Sequence, residues 1–244
     1  MALVLATDDT GGPEIFASLQ GEGPSVGRPV AFVRLSRCNL ACRWCDTAYT
    51  WRFIGDNRPH RDDVAFDRAA NQVTLDEAGV AARIAALGQD RLVVTGGEPL
   101  LQGAALARML DYLPDIQVEI ETNGTVKPPA PLDVRVDQYN VSPKLAHSGN
   151  PADLALIPAM LDFWADDPRA FFKFVIAKPA DLAEVDALIR AHRMDRTRVF
   201  VMPEGTDSAT LRNRETWLAQ AALERGVRMT DRLHIHLYGD TRGT

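Results

Sequence analysis

Short apolar runs alternate with segments of helical period along most of the chain, most clearly from about residue 74 onward. Several runs are too continuously apolar for a sheet that has one face in water. Strands alternating with helices are typical of repeated βα units around a mostly parallel sheet, so we predict an α/β fold. The predicted strands are Val30–Leu35, Leu92–Thr95, Val118–Glu121, Tyr139–Val141, Phe171–Ile176, Val199–Val201 and Leu233–Leu237.

The helix predictions rest on capping residues as well as on period. Thr74 can cap a helix, with Glu77 three residues further on, and Gly88 stands where that helix would end. A proline cluster at 128–131 predicts a loop. The other predicted helices are Leu101–Leu110, which follows a proline at a favoured entry position, Leu182–His192 and Ser208–Arg225.

One domain accounts for the whole chain. Its 244 residues suffice for an α/β domain with a sizeable core, and no second boundary is evident. We therefore predict a single domain over residues 1–244. Residues 52–73 are rich in Asp, Arg and Asn with little periodicity, which predicts a solvated insertion.

Composition and charge narrow the classes of partner. A net charge of −6 argues against nucleic-acid binding, because phosphate contacts require a basic face. No apolar run approaches the length of a membrane span, and Met1–Thr10 lacks the features of a secretory signal. We therefore expect a cytoplasmic protein without nucleic-acid or membrane partners.

All three cysteines of the chain lie in one short segment, as Cys38, Cys42 and Cys45, immediately after a predicted strand. The spacing Cys-x3-Cys-x2-Cys lets one loop direct three thiolates at one metal centre, and soft sulfur ligands suit iron–sulfur clusters and zinc. In a four-iron cluster, three cysteines leave one iron open to an outside ligand. Zinc is the alternative, with His60 or His147 as a fourth ligand.

A second motif, Thr95-Gly96-Gly97-Glu98-Pro99, follows the predicted strand Leu92–Thr95. Open α/β sheets and barrels carry their chemistry at this end of the strands. The glycines permit close backbone approach to a ligand, and Glu98 offers a carboxylate to an ammonium group.

The two motifs together resemble the radical SAM superfamily. The resemblance implies a 4Fe-4S cluster on the three cysteines and S-adenosylmethionine (SAM) bound through Gly97 and Glu98. It also implies one-electron cleavage of SAM to a 5′-deoxyadenosyl radical, which abstracts hydrogen from the substrate. The fold implied is an incomplete (β/α) TIM-like barrel of the radical SAM type, with the cysteine loop at its carboxyl-terminal rim. With only three cysteines, the chain cannot hold a second cysteine-ligated cluster by itself.

A finer resemblance covers nearly the whole chain. The segment Glu14–Gly23 and the Asp46-Thr47 pair after the last cysteine are similar to the 7-carboxy-7-deazaguanine synthase family. That family contracts the ring of 6-carboxy-5,6,7,8-tetrahydropterin to 7-carboxy-7-deazaguanine, with loss of ammonia, on the route to queuosine. The resemblance implies Mg²⁺ at Thr47, whose hydroxyl is a plausible oxygen ligand. It implies substrate contacts from Leu19, Gln20, Gly21, Arg34 and Thr95.

Further SAM contacts follow from the same resemblance, and each lies after a predicted strand. They are Ser142, Pro143 and Lys144, then Val201, Met202, Pro203 and Glu204. On the strand before the cysteines, alternation places Arg34 opposite Val33 and Leu35, where a guanidinium could pair with the substrate carboxylate.

No isolated carboxylate or histidine in the sequence stands out as a general base. His234 and His236 alternate on one face of the predicted last strand, and the tail after them closes over substrate in the resembling family. An electron donor such as flavodoxin and a homodimer are expected from the resemblance. Two alternatives remain: a glycyl-radical-enzyme activase, which needs a macromolecular partner, and a non-catalytic zinc or iron–sulfur protein.

Overall fold

Ten strands form one open sheet in the computed structural model, which describes residues 2–244. The sheet order is β10-β9-β8-β7-β6-β5-β3-β1-β4, and β2 pairs with β3 beside this path. The strands are Ala2–Ala6 (β1), Ile15–Leu19 (β2), Pro29–Leu35 (β3), Gln72–Asp76 (β4), Arg91–Gly96 (β5), Gln117–Thr122 (β6), Gln138–Val141 (β7), Ala170–Ile176 (β8), Val199–Pro203 (β9) and Arg228–Met229 (β10).

The central strands run parallel, from β3 through β5 to β10. Strands β1, β2 and β4 pair antiparallel with their neighbours. Because β10 and β4 end the series without pairing to each other, the sheet does not close. The predicted incomplete (β/α) barrel is confirmed.

The helices fall mostly where period and caps placed them. Ser208–Arg225 has the predicted bounds, and the segment predicted from Leu101 begins as a 3-10 turn over Pro99–Gln102. The α-helices are Arg68–Asn71 (α1), Glu77–Ala86 (α2), Gly103–Leu110 (α3), Ala130–Asp133 (α4), Ala152–Ala155 (α5), Pro158–Asp166 (α6), Asp181–Ala191 (α7), Ser208–Arg225 (α8) and Leu233–Tyr238 (α9).

Two local predictions were wrong. The segment predicted as the strand Leu233–Leu237 is helix α9, since β10 already occupies the free edge of β9. Thr74 does not cap α2 because it lies within β4, opposite Val4. The cap is Asp76, whose side chain accepts a 2.7 Å hydrogen bond from the Gly79 amide.

Residues 52–73 are more closely integrated than an insertion of polar residues suggests. Most of 54–70 is exposed, but Arg52 and Phe53 are buried, and β4 begins at Gln72. Phe53 also forms an isolated bridge with Phe66. At the proline cluster 128–131, predicted as a loop, the short helix α4 begins.

Side-chain alternation divides each parallel strand between a core face and a cavity face. In β6, Val118 and Ile120 are fully buried in the main core between sheet and helices. Glu119 and Glu121 occupy the alternate positions. The same alternation places Val33 and Leu35 of β3 in the core. The inner face carries a small apolar cluster of Val30, Phe32 and Val93 together with the polar groups that line the cavity.

Within residues 2–244, no helix combines the length and the apolar character that crossing a bilayer requires.

Candidate active site

A cavity of about 450 Å³ opens at the carboxyl ends of the parallel strands. Most of the site residues proposed from the sequence border it, which brings the two motifs and the amino-terminal segment to one place. The bordering ones are Leu19, Gln20, Gly21, Arg34, Cys38, Cys42, Cys45, Thr47, Thr95, Gly97, Ser142, Lys144, Met202 and Glu204. Glu98, Pro143, Val201 and Pro203 do not line it.

Val201 and Glu98 do not line the cavity because both side chains are buried in the protein interior. Val201 alternates with Met202 on β9 and is part of the main core. Glu98 is fully buried, and its carboxylate accepts hydrogen bonds from the Thr122 hydroxyl at 2.9 Å and the Asn123 amide at 2.7 Å. Glu98 therefore supports the rim of the cavity from behind.

The glycine motif also holds the cysteine loop in place. A Cβ on Gly97 would lie 2.0 Å from the Arg37 carbonyl oxygen, so this position requires glycine. The Gly97 amide donates to the Leu35 carbonyl at 3.0 Å, and the Glu98 amide to the Arg37 carbonyl at 2.8 Å. These bonds fix the segment that leads into Cys38.

The three cysteines are free thiols facing the cavity. Burial raises the pKa of Cys38 to about 12 and that of Cys45 to about 11, and it also raises the pKa of Cys42. A thiol must lose its proton to bind metal, and a bound cation supplies the compensating charge. Three free thiols that face one cavity fit the donor set of an iron–sulfur cluster.

Zinc fits the same loop less well. A tetrahedral zinc ion with bonds of about 2.3 Å holds its sulfurs roughly 3.8 Å apart. The three cysteine sulfurs do not all lie within 4.8 Å of one another. Among the described residues, only Glu215, Asp231 and His236 bring three metal-ligand atoms that close together. The histidines named for zinc have other partners, His60 at the Cys45 carbonyl and His147 at the Val175 carbonyl.

A carboxylate on β6 forms the polar inner wall of the cavity. The Glu121 carboxylate accepts hydrogen bonds from the Thr95 hydroxyl at 2.7 Å and from the Gln20 amide at 3.2 Å. Gln20 also donates to Glu119 at 2.8 Å, behind the cavity surface. Two residues predicted to contact substrate thus converge on one carboxylate.

Arg34 points into the cavity from β3, as its alternation predicts. Its Nε donates to Glu14 at 2.8 Å, and the Tyr49 hydroxyl donates to the other oxygen of Glu14 at 2.9 Å. Among the described residues, its two terminal Nη groups have no hydrogen-bond partner. The guanidinium is therefore oriented by Glu14 while its outer edge remains available to an anion.

A buried charge network links the cysteine loop to the carboxyl-terminal region. Arg232 donates to Glu22 at 2.9 Å and also pairs with Asp46, while Lys173 pairs with the other oxygen of Glu22. Burial alone would raise the pKa of Glu22, but the charges of Lys173 and Arg232 outweigh it and hold that pKa well below its usual range. Both carboxylates are thus ionised and depend on the same guanidinium.

We expect Arg232→Met to lower the free energy of unfolding by about 3 to 5 kcal/mol, because it leaves Glu22 and Asp46 without their shared cation in a buried site. The wild-type stability should also fall as the pH drops below about 4.5, the ordinary pKa of Glu22. The sign follows because a depressed folded-state pKa stabilises above the unfolded value and is lost on acidification. Urea unfolding at pH 7 and pH 4 measures both effects.

The control for this variant is Arg212→Met, which changes an exposed arginine of α8. It should alter the unfolding free energy by less than about 0.5 kcal/mol. Equal stability of the Arg232 and Arg212 variants at pH 7 would show that the network contributes nothing to folding.

The carboxyl-terminal tail borders the cavity from α9 onward. Gly239, Asp240, Thr241, Arg242 and Thr244 all border it. The Arg242 guanidinium lies 3.7 Å from the centre of the Tyr49 ring and donates to the Asn71 side chain at 3.0 Å. The tail is therefore anchored to the buried Tyr49 and to the end of α1 at Asn71.

His234 and His236 do not share a face, as the predicted strand would require, because residues two apart in a helix point in nearly opposite directions. His234 borders the cavity, and a Cβ on Gly21 would lie 2.1 Å from its Nδ1, so glycine is needed there for helix packing. His236 faces α8, where its Nε2 lies 2.9 Å from Glu215 and its Nδ1 2.9 Å from Ser208.

Sequence reasoning missed several cavity residues: Glu22, Glu121, Asn140, Lys173 and Arg232. The sequence contained part of the information needed to predict these residues. Charged or amide side chains inside otherwise apolar strands, such as Glu119 and Glu121, indicate a polar inner face. Arg232 lies in a loop, and nothing in its sequence neighbourhood indicates its buried partners.

The cysteine loop at the rim of an incomplete barrel defines a radical SAM protein, and a family model described as the radical SAM superfamily matches residues 33–144. A 7-carboxy-7-deazaguanine synthase of Pyrobaculum aerophilum is 39% identical over 234 residues, covering 94% of this chain and 95% of the relative. One from Halobacterium salinarum is 34% identical, covering 95% and 91%. The chain belongs to the 7-carboxy-7-deazaguanine synthase family.

Solved structures share the fold. QueE from Escherichia coli superposes with a TM-score of 0.65 at 23% identity, covering 95% of both chains. Streptococcus suis SuiB bound to S-adenosylmethionine gives a TM-score of 0.53 at 15% identity, covering 83% of this chain and 49% of that one.

Proposed function

We propose that this protein converts 6-carboxy-5,6,7,8-tetrahydropterin to 7-carboxy-7-deazaguanine, with loss of ammonia. The observation that carries the proposal is the convergence of Gln20, Arg34, Thr95 and Glu121 with the three cysteines around one cavity. A cavity of about 450 Å³ is within the size range of small-molecule sites. The tail that borders the cavity, held at Tyr49 and Asn71, suits a small molecule better than the protein backbone that an activase must admit.

The cysteines would hold a 4Fe-4S cluster, which together with SAM supplies the one-electron chemistry that starts the reaction. Residues on the neighbouring strand ends would hold SAM beside it. Lys144 donates to the Ser142 hydroxyl at 2.8 Å, and Met202 and Glu204 face the cavity from β9. The Glu204 carboxylate is in turn held by Arg61 at 2.9 Å, which fixes this part of the rim.

The substrate would lie between Arg34 and Glu121, because its two ends carry opposite hydrogen-bonding character. Its carboxylate can pair with the free edge of the Arg34 guanidinium. Its aminopyrimidinone edge offers parallel N–H donors that a carboxylate accepts in pairs, and Glu121 is the carboxylate on that wall. The tail would exclude water once the substrate is bound.

A magnesium ion would bind near Thr47, which borders the cavity beside the cysteine loop. The Thr47 hydroxyl lies 3.6 Å from the Cys45 sulfur. A hydroxyl that donates its proton to a thiolate keeps its lone pairs for a cation, and Mg²⁺ commonly completes its shell with water or substrate oxygens. The electron donor would be a flavodoxin-like protein, and the assembly a homodimer.

The test is an anaerobic assay of reconstituted protein with dithionite, SAM, Mg²⁺ and the tetrahydropterin. Mass spectrometry follows 5′-deoxyadenosine and 7-carboxy-7-deazaguanine. Both products are expected. Deoxyadenosine without the deazaguanine would reject the substrate, and neither product from cluster-loaded protein would reject the proposed function.

We expect Arg34→Ala to lower kcat/KM for the tetrahydropterin by about 100-fold, because it removes a charge-assisted contact worth about 3 kcal/mol. Formation of 5′-deoxyadenosine without substrate should stay near the wild-type level, since Arg34 is proposed to contact the tetrahydropterin and not SAM. Arg34→Lys, which keeps the charge but loses the planar edge, should recover part of the loss. If 5′-deoxyadenosine and 7-carboxy-7-deazaguanine fell by the same factor, Arg34 would not act on the tetrahydropterin alone.

A further inference from the structure

Each cysteine sulfur has a side-chain N–H group beside it, and all three donors lie outside the segment 38–45 that carries the cysteines. The Trp51 indole Nε1 donates to the Cys45 sulfur at 3.4 Å. The Asn150 amide donates to the Cys42 sulfur at 3.3 Å. A longer contact of 3.9 Å joins the Asn123 amide to the Cys38 sulfur. The cysteine loop is therefore surrounded by donors that its own segment does not supply.

Packing that does not depend on the sulfur holds the Trp51 donor. The side chain is buried at 5% exposure, and the Arg58 guanidinium lies 4.8 Å from the centre of its ring. His60 packs edge-on against the same ring, and its Nε2 lies 2.7 Å from the Cys45 carbonyl. The indole is thus oriented on both sides before any ligand binds to Cys45.

The oxygen of the Asn150 side chain determines which way its amide points. That oxygen accepts a 2.8 Å hydrogen bond from the Ala41 amide, which lies inside the cysteine loop. The amide nitrogen must then face the Cys42 sulfur and the Ser148 hydroxyl, at 3.3 Å and 3.1 Å. Asn150 therefore both holds the loop and directs a donor at its sulfur.

We propose that Trp51 and Asn150 raise the reduction potential of the iron–sulfur cluster by donating hydrogen bonds to the sulfurs of Cys45 and Cys42. Reduction adds one electron, and part of its charge resides on the cysteine sulfurs. An N–H dipole aimed at those sulfurs stabilises the reduced form more than the oxidised form, most strongly in a buried site. Hydrogen bonds around metal ligands adjust potentials in this way generally. The inference rests on the proposed cluster.

The test is potentiometry of the reconstituted protein. Dithionite sets the potential in the presence of redox mediators, and electron paramagnetic resonance follows the reduced cluster. Trp51→Phe keeps an aromatic ring and removes the donor. We expect it to lower the equilibrium constant for one-electron reduction at least threefold, a shift of about 28 mV to more negative potential at 59 mV per tenfold. Asn150→Ala should shift the potential in the same direction, and the double variant should shift it further.

The matched control is Trp217→Phe, the same change in α8, where the side chain packs against the main core. It should leave the potential unchanged. Iron and sulfide content and circular dichroism confirm that each variant is folded and loaded. Fully loaded Trp51 and Asn150 variants with the wild-type potential would overturn the inference. A wild-type protein that assembles no four-iron cluster would instead remove the proposed function on which the inference rests.

Discussion

We expect Cys42→Ala to abolish cleavage of SAM. The chain has only three cysteines, so no other thiol can replace the lost ligand. Two thiolates leave two irons of the cluster without protein ligands, and the iron content after reconstitution should fall with the activity. Assay of iron, sulfide and 5′-deoxyadenosine measures the effect, which should be a loss of at least 1,000-fold in deoxyadenosine formation, as for removal of an essential centre.

Arg34→Ala serves as the comparison for the cysteine variant, because it alters the same cavity without touching a cluster ligand. It should retain full iron content and uncoupled SAM cleavage. If Cys42→Ala formed 5′-deoxyadenosine at the wild-type rate, the assignment of the cluster to these cysteines would be wrong. The two variants together separate loss of the cluster from loss of substrate binding.

The sequence was most informative where a pattern has one structural meaning. Continuous apolar runs between helical segments predicted the parallel strands. Capping residues and the helical period predicted α8 with its bounds. The cysteine spacing and the glycine motif identified one rim of the barrel, since both follow strands and parallel strands end on the same side. Most residues proposed from these motifs line the cavity.

The sequence was least informative where long-range packing decides the structure. The segment Leu233–Leu237 has the apolar alternation of a strand, but it forms α9 and packs against Gly21, where the Leu233 amide donates to the Gly21 carbonyl at 3.0 Å. The need for glycine at position 21 arises from His234, more than 200 residues away, as the 2.1 Å approach to its Nδ1 shows. Such constraints depend on which elements meet in space, and local propensity does not report them.

The buried network around Arg232 shows the same limit in its charges. Glu22, Asp46 and Arg232 each resemble ordinary surface residues in a chain of which 25% is charged. Only the fold brings the two carboxylates to one guanidinium and links the cysteine loop to the segment that precedes α9. This connection gives a physical route by which the tail and the cluster loop depend on each other's position.

Glu121→Gln should lower kcat/KM for the tetrahydropterin by about 100-fold or more. The Glu121 oxygens already accept from Gln20 and Thr95, so an amide in their place would set its own N–H group against one of these donors. It would also lose the charge that favours a paired contact with the aminopyrimidinone edge. Steady-state kinetics with the pterin, and calorimetric binding of pterin and SAM separately, measure the change.

Glu119→Gln is the matched control, since it makes the same change two residues away on the same strand face. Glu119 is fully buried and does not border the cavity, and its carboxylate accepts from Gln20, Asn140 and Arg91. The change therefore disturbs the same wall without removing a group that substrate could touch. We expect less than about a tenfold effect on pterin binding and no change in SAM affinity for either variant. Equal loss of pterin binding in both variants would show that the wall of the cavity acts through its packing, and that Glu121 makes no contact of its own with the substrate.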